Sequence, residues 1–239
     1  SSLNPVFTVG AQFFDLIAFQ GRTHVSIADY WRPRLSGTRR REIHDRTINA
    51  LREVSLPNPE ELVGRYPLQL SGGQSQRVLI ALALLGDPKV VIADEPGTAL
   101  DVTIEAQIND LLLERVQARN SSMIYITHDL GIASQLSDRV YVMYAGRVVE
   151  EGPTAAVFSS PKHPYTAGLI EAVPNVTDKP FSGIPGTLPD PKAVRGGCAF
   201  RWRCAHATGA CAVAVPPLDD IGVGHRAACF RARELELAS

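Results

Sequence analysis

Apolar residues recur along the chain in two periods, and the switch between them sets the expected fold. Glu42 to Val54 carries Ile43, Ile48, Leu51 and Val54 at helical spacing, after which Pro57 and Pro59 break the pattern. Ser71 to Leu85 predicts a helix with Val78, Leu79, Leu82 and Leu85 as its inward stripe, ended by Gly86-Asp87-Pro88. Val90-Val91-Ile92-Ala93 is a short unbroken apolar run, expected of a strand covered on both faces. Thr103 to Ala118 predicts a helix with Ile104, Ile108, Leu111, Leu112 and Val116 inward. Met123 to Thr127 predicts a second covered strand. Arg139 to Tyr144, Ala145-Gly146 and Arg147 to Glu150 predict a hairpin. Helices alternating with apolar strands predict an α/β fold with a parallel sheet, finished by an antiparallel pair.

These elements divide the chain into three stretches. Residues 1–68 are polar-rich and expected to be helical, and 69–152 hold the alternating helices and strands. Residues 153–239 are punctuated by Pro153, Pro161, Pro164, Pro174, Pro180, Pro185, Pro189 and Pro191, which predicts extended chain and little core.

Composition changes the picture little. A net charge of -1 gives no support to a nucleic-acid partner or a polybasic membrane surface. Val78 to Leu85, the longest apolar stretch, is too short to span a bilayer. All four cysteines fall in one segment, at Cys198, Cys204, Cys211 and Cys229, which points to one local task. The opening Ser1-Ser2-Leu3-Asn4-Pro5 has no Met and reads as the middle of a domain, so a truncation is expected.

Candidate chemistry concentrates where elements begin and end. Ser71 can cap its helix while Gln74, three residues on, completes a capping box. Gly72 and Gly73 allow a ligand close to the backbone, and a helix N-terminus with open N–H groups suits a phosphate. An ordinary capped helix would carry the same residues. Val90 to Ala93 ends in Asp94-Glu95, two carboxylates where α/β sheets bind ligands. Asp94 suits Mg²⁺, directly or through water, and Glu95 suits polarising an attacking water. A solvated acidic turn is the plainer alternative. His128 follows the second strand and could meet a γ-phosphate, or serve as a surface histidine.

Taken in order, these segments resemble the ABC ATPase family. Leu70 to Gln74 resembles its signature motif, Val90 to Glu95 its Walker B strand, Ala99 to Asp101 its D-loop and His128 its switch histidine. Ser1 to Gly10 looks like the segment after the Q-loop of the dipeptide/oligopeptide/nickel importer group. Pro161-Lys162-His163-Pro164-Tyr165-Thr166 resembles the His-Pro-Tyr extension of the same group. The resemblance implies a partial ABC ATPase domain, comprising a helical subdomain and a RecA-like parallel sheet, with a Pro- and Cys-rich C-terminal extension.

By the same resemblance, the chain is expected to bind ATP with Mg²⁺ and to couple hydrolysis to import of peptides or similar small solutes. Glu95 and His128 would be catalytic and Asp94 would hold Mg²⁺. Ser71, Gly72, Gly73 and Gln74 would serve ATP held by a partner, with Asp101 in the D-loop. The implied partners are a second ABC ATPase subunit, two membrane permease subunits and, indirectly, an extracytoplasmic solute-binding protein. The implied place is the cytoplasmic face of the membrane.

The departures are specific. No Gly-Lys dipeptide occurs anywhere, so the Walker A loop is missing and the chain alone is expected to be inactive. Gly97 stands where the group usually carries Thr, which is expected to loosen the D-loop approach. The segment around Cys198 to Cys229 resembles the group's cysteine-bearing tail, and some members hold an iron–sulfur cluster there. A [4Fe–4S] cluster is therefore expected ahead of zinc, with His206 and His225 as alternative ligands and free thiols as the plain alternative. A soluble non-transport ABC ATPase, or an inactive redox-sensing remnant, are the rival functions.

Overall fold

The computed structural model describes residues 3–20, 35–98, 100–173, 183–187, 189 and 196–237. Ala99, Pro174, Pro180 and Pro191 thus lie outside the described residues, as do Ser1 and Ser2. Two compact units form, Ser1–Ile126 and Thr127–Ser239.

Among the described residues, the first unit opens with three helices, α1 (Val9–Phe19), α2 (Gly37–Glu53) and α3 (Pro59–Leu62). Ser36 caps α2 by accepting from the Arg39 N–H, so this helix starts well before the apolar stripe does. Pro59 begins a helix rather than ending one, because its missing N–H falls where no helical bond is needed. Next come α4 (Gly72–Leu84), β1 (Val90–Asp94), α5 (Val102–Ala118) and β2 (Ser122–Ile126). Asp87 closes α4 in a left-handed conformation, φ 46°, where Asp is tolerated.

β1 and β2 pair in parallel, with Val90 opposite Ser122 and Asp94 opposite Ile126. The core beside them joins Phe13, Leu51, Val54, Val78, Ala81, Leu84, Val91, Ala93, Ile108 and Leu112. The expected stripe of α4 needs rotation. Val78, Ile80, Ala81 and Leu84 are buried, while Leu79, Leu82 and Leu85 are only half-buried, because helices approach α4 from more than one side. The strands differ from expectation too. Val91 and Ala93 are buried, but Val90 and Ile92 are 52% and 67% exposed, and Ile124 and Ile126 are 53% and 47% exposed. One face of the pair is covered and the other is bare, since successive side chains leave a strand on opposite sides.

The second unit begins with α6 (Leu130–Leu136), followed by the hairpin β3 (Arg139–Tyr144) and β4 (Arg147–Pro153). Ala145 and Gly146 turn it, both at positive φ, the geometry a two-residue hairpin turn requires. Two short helices follow, α7 (Thr154–Ser159) and α8 (Pro164–Glu171), then α9 (Gly209–Val213), β5 (Asp219–Gly222) and β6 (His225–Ala227). The expected antiparallel pair is therefore part of a four-stranded antiparallel sheet in the order β3-β4-β6-β5. The tail also builds more core than its prolines predict. Phe200 joins Tyr144 and Val149, and the rings of Tyr144, Tyr165 and Phe200 lie 4.7 to 5.5 Å apart.

Candidate functional site

Ser71 closes a full capping box. Its hydroxyl accepts from the Gln74 N–H at 3.2 Å, and the Gln74 side chain accepts from the Ser71 N–H at 3.0 Å. The amides of Gly72 and Gly73, the first two of α4, have no hydrogen-bond partner among the described residues. The two glycines have a packing reason that the sequence did not reveal. A Cβ on Gly72 would stand 3.1 Å from the Leu100 side chain, and one on Gly73 would stand 3.0 Å from Ile104. The helix N-terminus is thus laid closely on the start of α5. Asp101 caps that helix by accepting from the Ile104 N–H at 2.9 Å.

Asp94 and Glu95 stand exposed at the C-terminal end of β1. Glu95 adopts a left-handed backbone, φ 44°, uncommon for a residue with a long side chain and a mark of local strain. Hydrogen bonds hold it there. Its N–H donates to the Ile126 carbonyl at 3.0 Å, and its carboxylate accepts from the Thr98 hydroxyl at 3.0 Å. Thr98 is a residue that sequence reasoning missed; its position three residues after an acidic strand end was the available signal. Gly97 is buried, and a Cβ there would lie 2.5 Å from the Glu105 Cγ, so the Glu105 side chain occupies the space a Thr would need.

His128 is exposed, in the bend between β2 and α6. Asp129 beside it caps α6 by accepting from the Ile132 N–H at 3.1 Å. His128 belongs to the second unit, and Ser71, Asp94, Glu95 and Asp101 belong to the first.

In the second unit, two carboxylates lie inside. Glu150 is fully buried and accepts from the Lys162 N–H at 2.7 Å and the His163 N–H at 2.9 Å, with His225 Nε2 at 2.8 Å. Glu151 beside it is bound by the Arg226 guanidinium, with Nε at 2.8 Å. The His-Pro-Tyr run thereby acquires physical roles. His163 caps α8 through Nδ1, which accepts from the Tyr165 N–H at 3.1 Å, Pro164 starts the helix, and Tyr165 enters the aromatic core. Burial holds His163 neutral by pushing its pKa down to about 4.

The expected iron–sulfur or zinc site finds no support among the described residues. Among the described residues, which include all four cysteines, no group of three His, Cys, Asp or Glu side chains is gathered to hold a metal ion. Cys198, Cys204 and Cys229 interact electrostatically with one another and with Cys211. Burial raises the pKa of those three thiols. His206 and His225 complete no ligand set either, and His225 is engaged by Glu150. Among the described residues no helix is long and apolar enough to cross a membrane.

The likeness to known proteins runs along nearly the whole chain. Residues 3–98 match the family described as ABC transporter, and residues 149–211 match the oligopeptide/dipeptide transporter C-terminal region. A Brucella ovis protein provisionally named a peptide import ATP-binding protein is 41% identical over 98% of this chain and 68% of its own length. An Escherichia coli K12 protein, DdpD, provisionally named a D,D-dipeptide transport ATP-binding protein, is 42% identical over 96% of this chain and 66% of its own. This chain thus spans about two thirds of the length of these relatives. Among solved structures, the ATP-binding cassette MJ0796, dimeric in a post-hydrolysis state with ADP and Pi, is 29% identical with a TM-score of 0.49. That match covers 64% of this chain and 59% of the other. On the identity shared across almost all its residues, the chain belongs to the ABC transporter ATP-binding subunits of the oligopeptide/dipeptide importer group.

Proposed function

We propose that this chain helps couple ATP hydrolysis to import of peptides or similar small solutes, on the cytoplasmic face of a membrane, through partner permease subunits. The observation that carries this reading is the start of α4. Ser71 and Gln74 satisfy each other, and the Gly72 and Gly73 amides are left open toward an anion. A phosphate held by a second cassette subunit suits that end. The chain's own carboxylates suit the other half of the chemistry. Mg²⁺ is commonly bound through one or two carboxylates together with phosphate oxygens, and Asp94 offers such a carboxylate. When bound, the ion neutralises developing phosphate charge. Glu95, which accepts from Thr98, suits orienting a water, and His128 suits a contact with a γ-phosphate.

By itself the 239-residue chain turns over no ATP on this reading, because it has no Gly-Lys pair to hold the triphosphate. The test pairs it with a second cassette that has an intact phosphate loop. Ser71→Arg fills the gap at α4 and abolishes ATP turnover by the complex, while Glu95→Gln leaves turnover unchanged. Equal losses from both substitutions refute this division of labour.

A further inference from the structure

The second unit carries a half-open cavity of about 470 Å³. Small-molecule sites fall in that size range and combine apolar walls with a few placed polar groups. Tyr144, Val149 and Phe200 form apolar wall, all three buried in the fold. Gly197 belongs to the rim, and its backbone is tightly set. Its φ is +70°, and a Cβ there would strike the Cys211 carbonyl at 2.4 Å.

Two polar side chains on this lining have donors with no acceptor among the described residues. His163 accepts from the Tyr165 N–H through Nδ1, so its proton sits on Nε2. The ring is only 2% exposed, borders the cavity, and finds no acceptor for Nε2 among the described residues. Nε2 is not among the polar atoms sealed from solvent without a partner, so its N–H is open to an acceptor entering the cavity. Arg147 also lines the cavity, is exposed, and has no ion pair among the described residues. Glu150, the nearest buried carboxylate in sequence, is already engaged by Lys162, His163 and His225, and it does not line the cavity.

We propose that this cavity is a ligand site for a small carboxylate with an apolar or aromatic body. The carboxylate accepts from His163 Nε2 and pairs with the Arg147 guanidinium, while the body lies against Tyr144, Val149 and Phe200. The low pKa of His163 agrees with this, since a neutral ring keeps one donor and leaves the charge to Arg147. A cationic ligand would face Arg147 at a loss, and a purely apolar one would leave His163 without an acceptor.

The test titrates the full chain with 3-phenylpropionate and with its neutral isostere 3-phenylpropanamide, by calorimetry and ligand-observed NMR. The carboxylate should bind in about the millimolar range, as its few heavy atoms allow. The amide should bind at least about tenfold more weakly, for lack of a charge-assisted bond. Arg147→Met, at an exposed position with no partner to lose, should bring the carboxylate down to the amide's level. Val215→Trp, on the exposed lining, should weaken both probes by filling the cavity. Equal affinity for acid and amide would overturn the proposal. So would an acid preference that survives Arg147→Met, or no binding of the acid at about 10 mM, well above the range expected for a ligand of this size.

Discussion

In the first unit, Ser71, Asp94, Glu95 and Asp101 are exposed and stand at the ends of helices or strands. In the second, Glu150, Glu151, His163 and His225 are buried, each fastened to a neighbour. The residue types overlap, but their tasks differ. A charged group at an exposed element end contributes little to folding and can serve a ligand. A charged group inside the fold holds chain segments together, and removing one partner leaves the others unsatisfied. The contrast teaches that an acidic pair in a sequence is not by itself a site. Asp94-Glu95 and Glu150-Glu151 look alike as dipeptides, and burial separates them.

The largest effect expected from this contrast is at Glu150. Glu150→Ala strips the acceptor from two backbone amides and His225, and should cost about 3–5 kcal/mol in denaturant unfolding. Asp94→Ala should stay within about 0.5 kcal/mol by the same measurement. Similar costs for the two would break the comparison.

Acid should act through His163. The ring stays neutral in the fold down to about pH 4, against an ordinary value of 6.5. The unfolded chain takes up a proton between those values and the folded chain does not. Stability from this residue is therefore full above about pH 6.5 and is lost as the pH falls toward 4, by about 3 kcal/mol. His163→Asn keeps a capping acceptor and removes the titration, so its stability should fall less between pH 6.5 and 4 than that of the parent. Parallel pH profiles would count against the buried-neutral assignment.

Ser71→Ala should cost about 1 kcal/mol, the ordinary worth of an N-cap, read as a shift in denaturant midpoint. A much larger loss would mean that Ser71 does more for the fold than close its capping box. The smallest change in stability is expected from Ile92→Lys, within about 0.5 kcal/mol, because that side chain already faces solvent. Its effect lies elsewhere. Val90, Ile92, Ile124 and Ile126 form a bare apolar face, so the added charge should reduce self-association in sedimentation velocity.

The local devices were legible from the residues alone. The Ser71–Gln74 capping box, the β1 end at Asp94-Glu95 and the Ala145-Gly146 turn each depend on partners within a few positions, so short-range chemistry suffices to set them. The order of those segments, together with the His-Pro-Tyr run, was enough to reach the family. Tertiary structure decided the rest. Only the folded chain brings His225 to Glu150 and Arg226 to Glu151, placing β6 beside β4. Only it shows one face of the β1–β2 pair bare, since an apolar run carries no information on which side will be covered. Only it brings the four thiols near enough to interact, because cysteine spacing limits which sulfurs can meet but not which do. Such pairings join distant parts of the chain and follow no period, so they exist only once the chain has closed on itself.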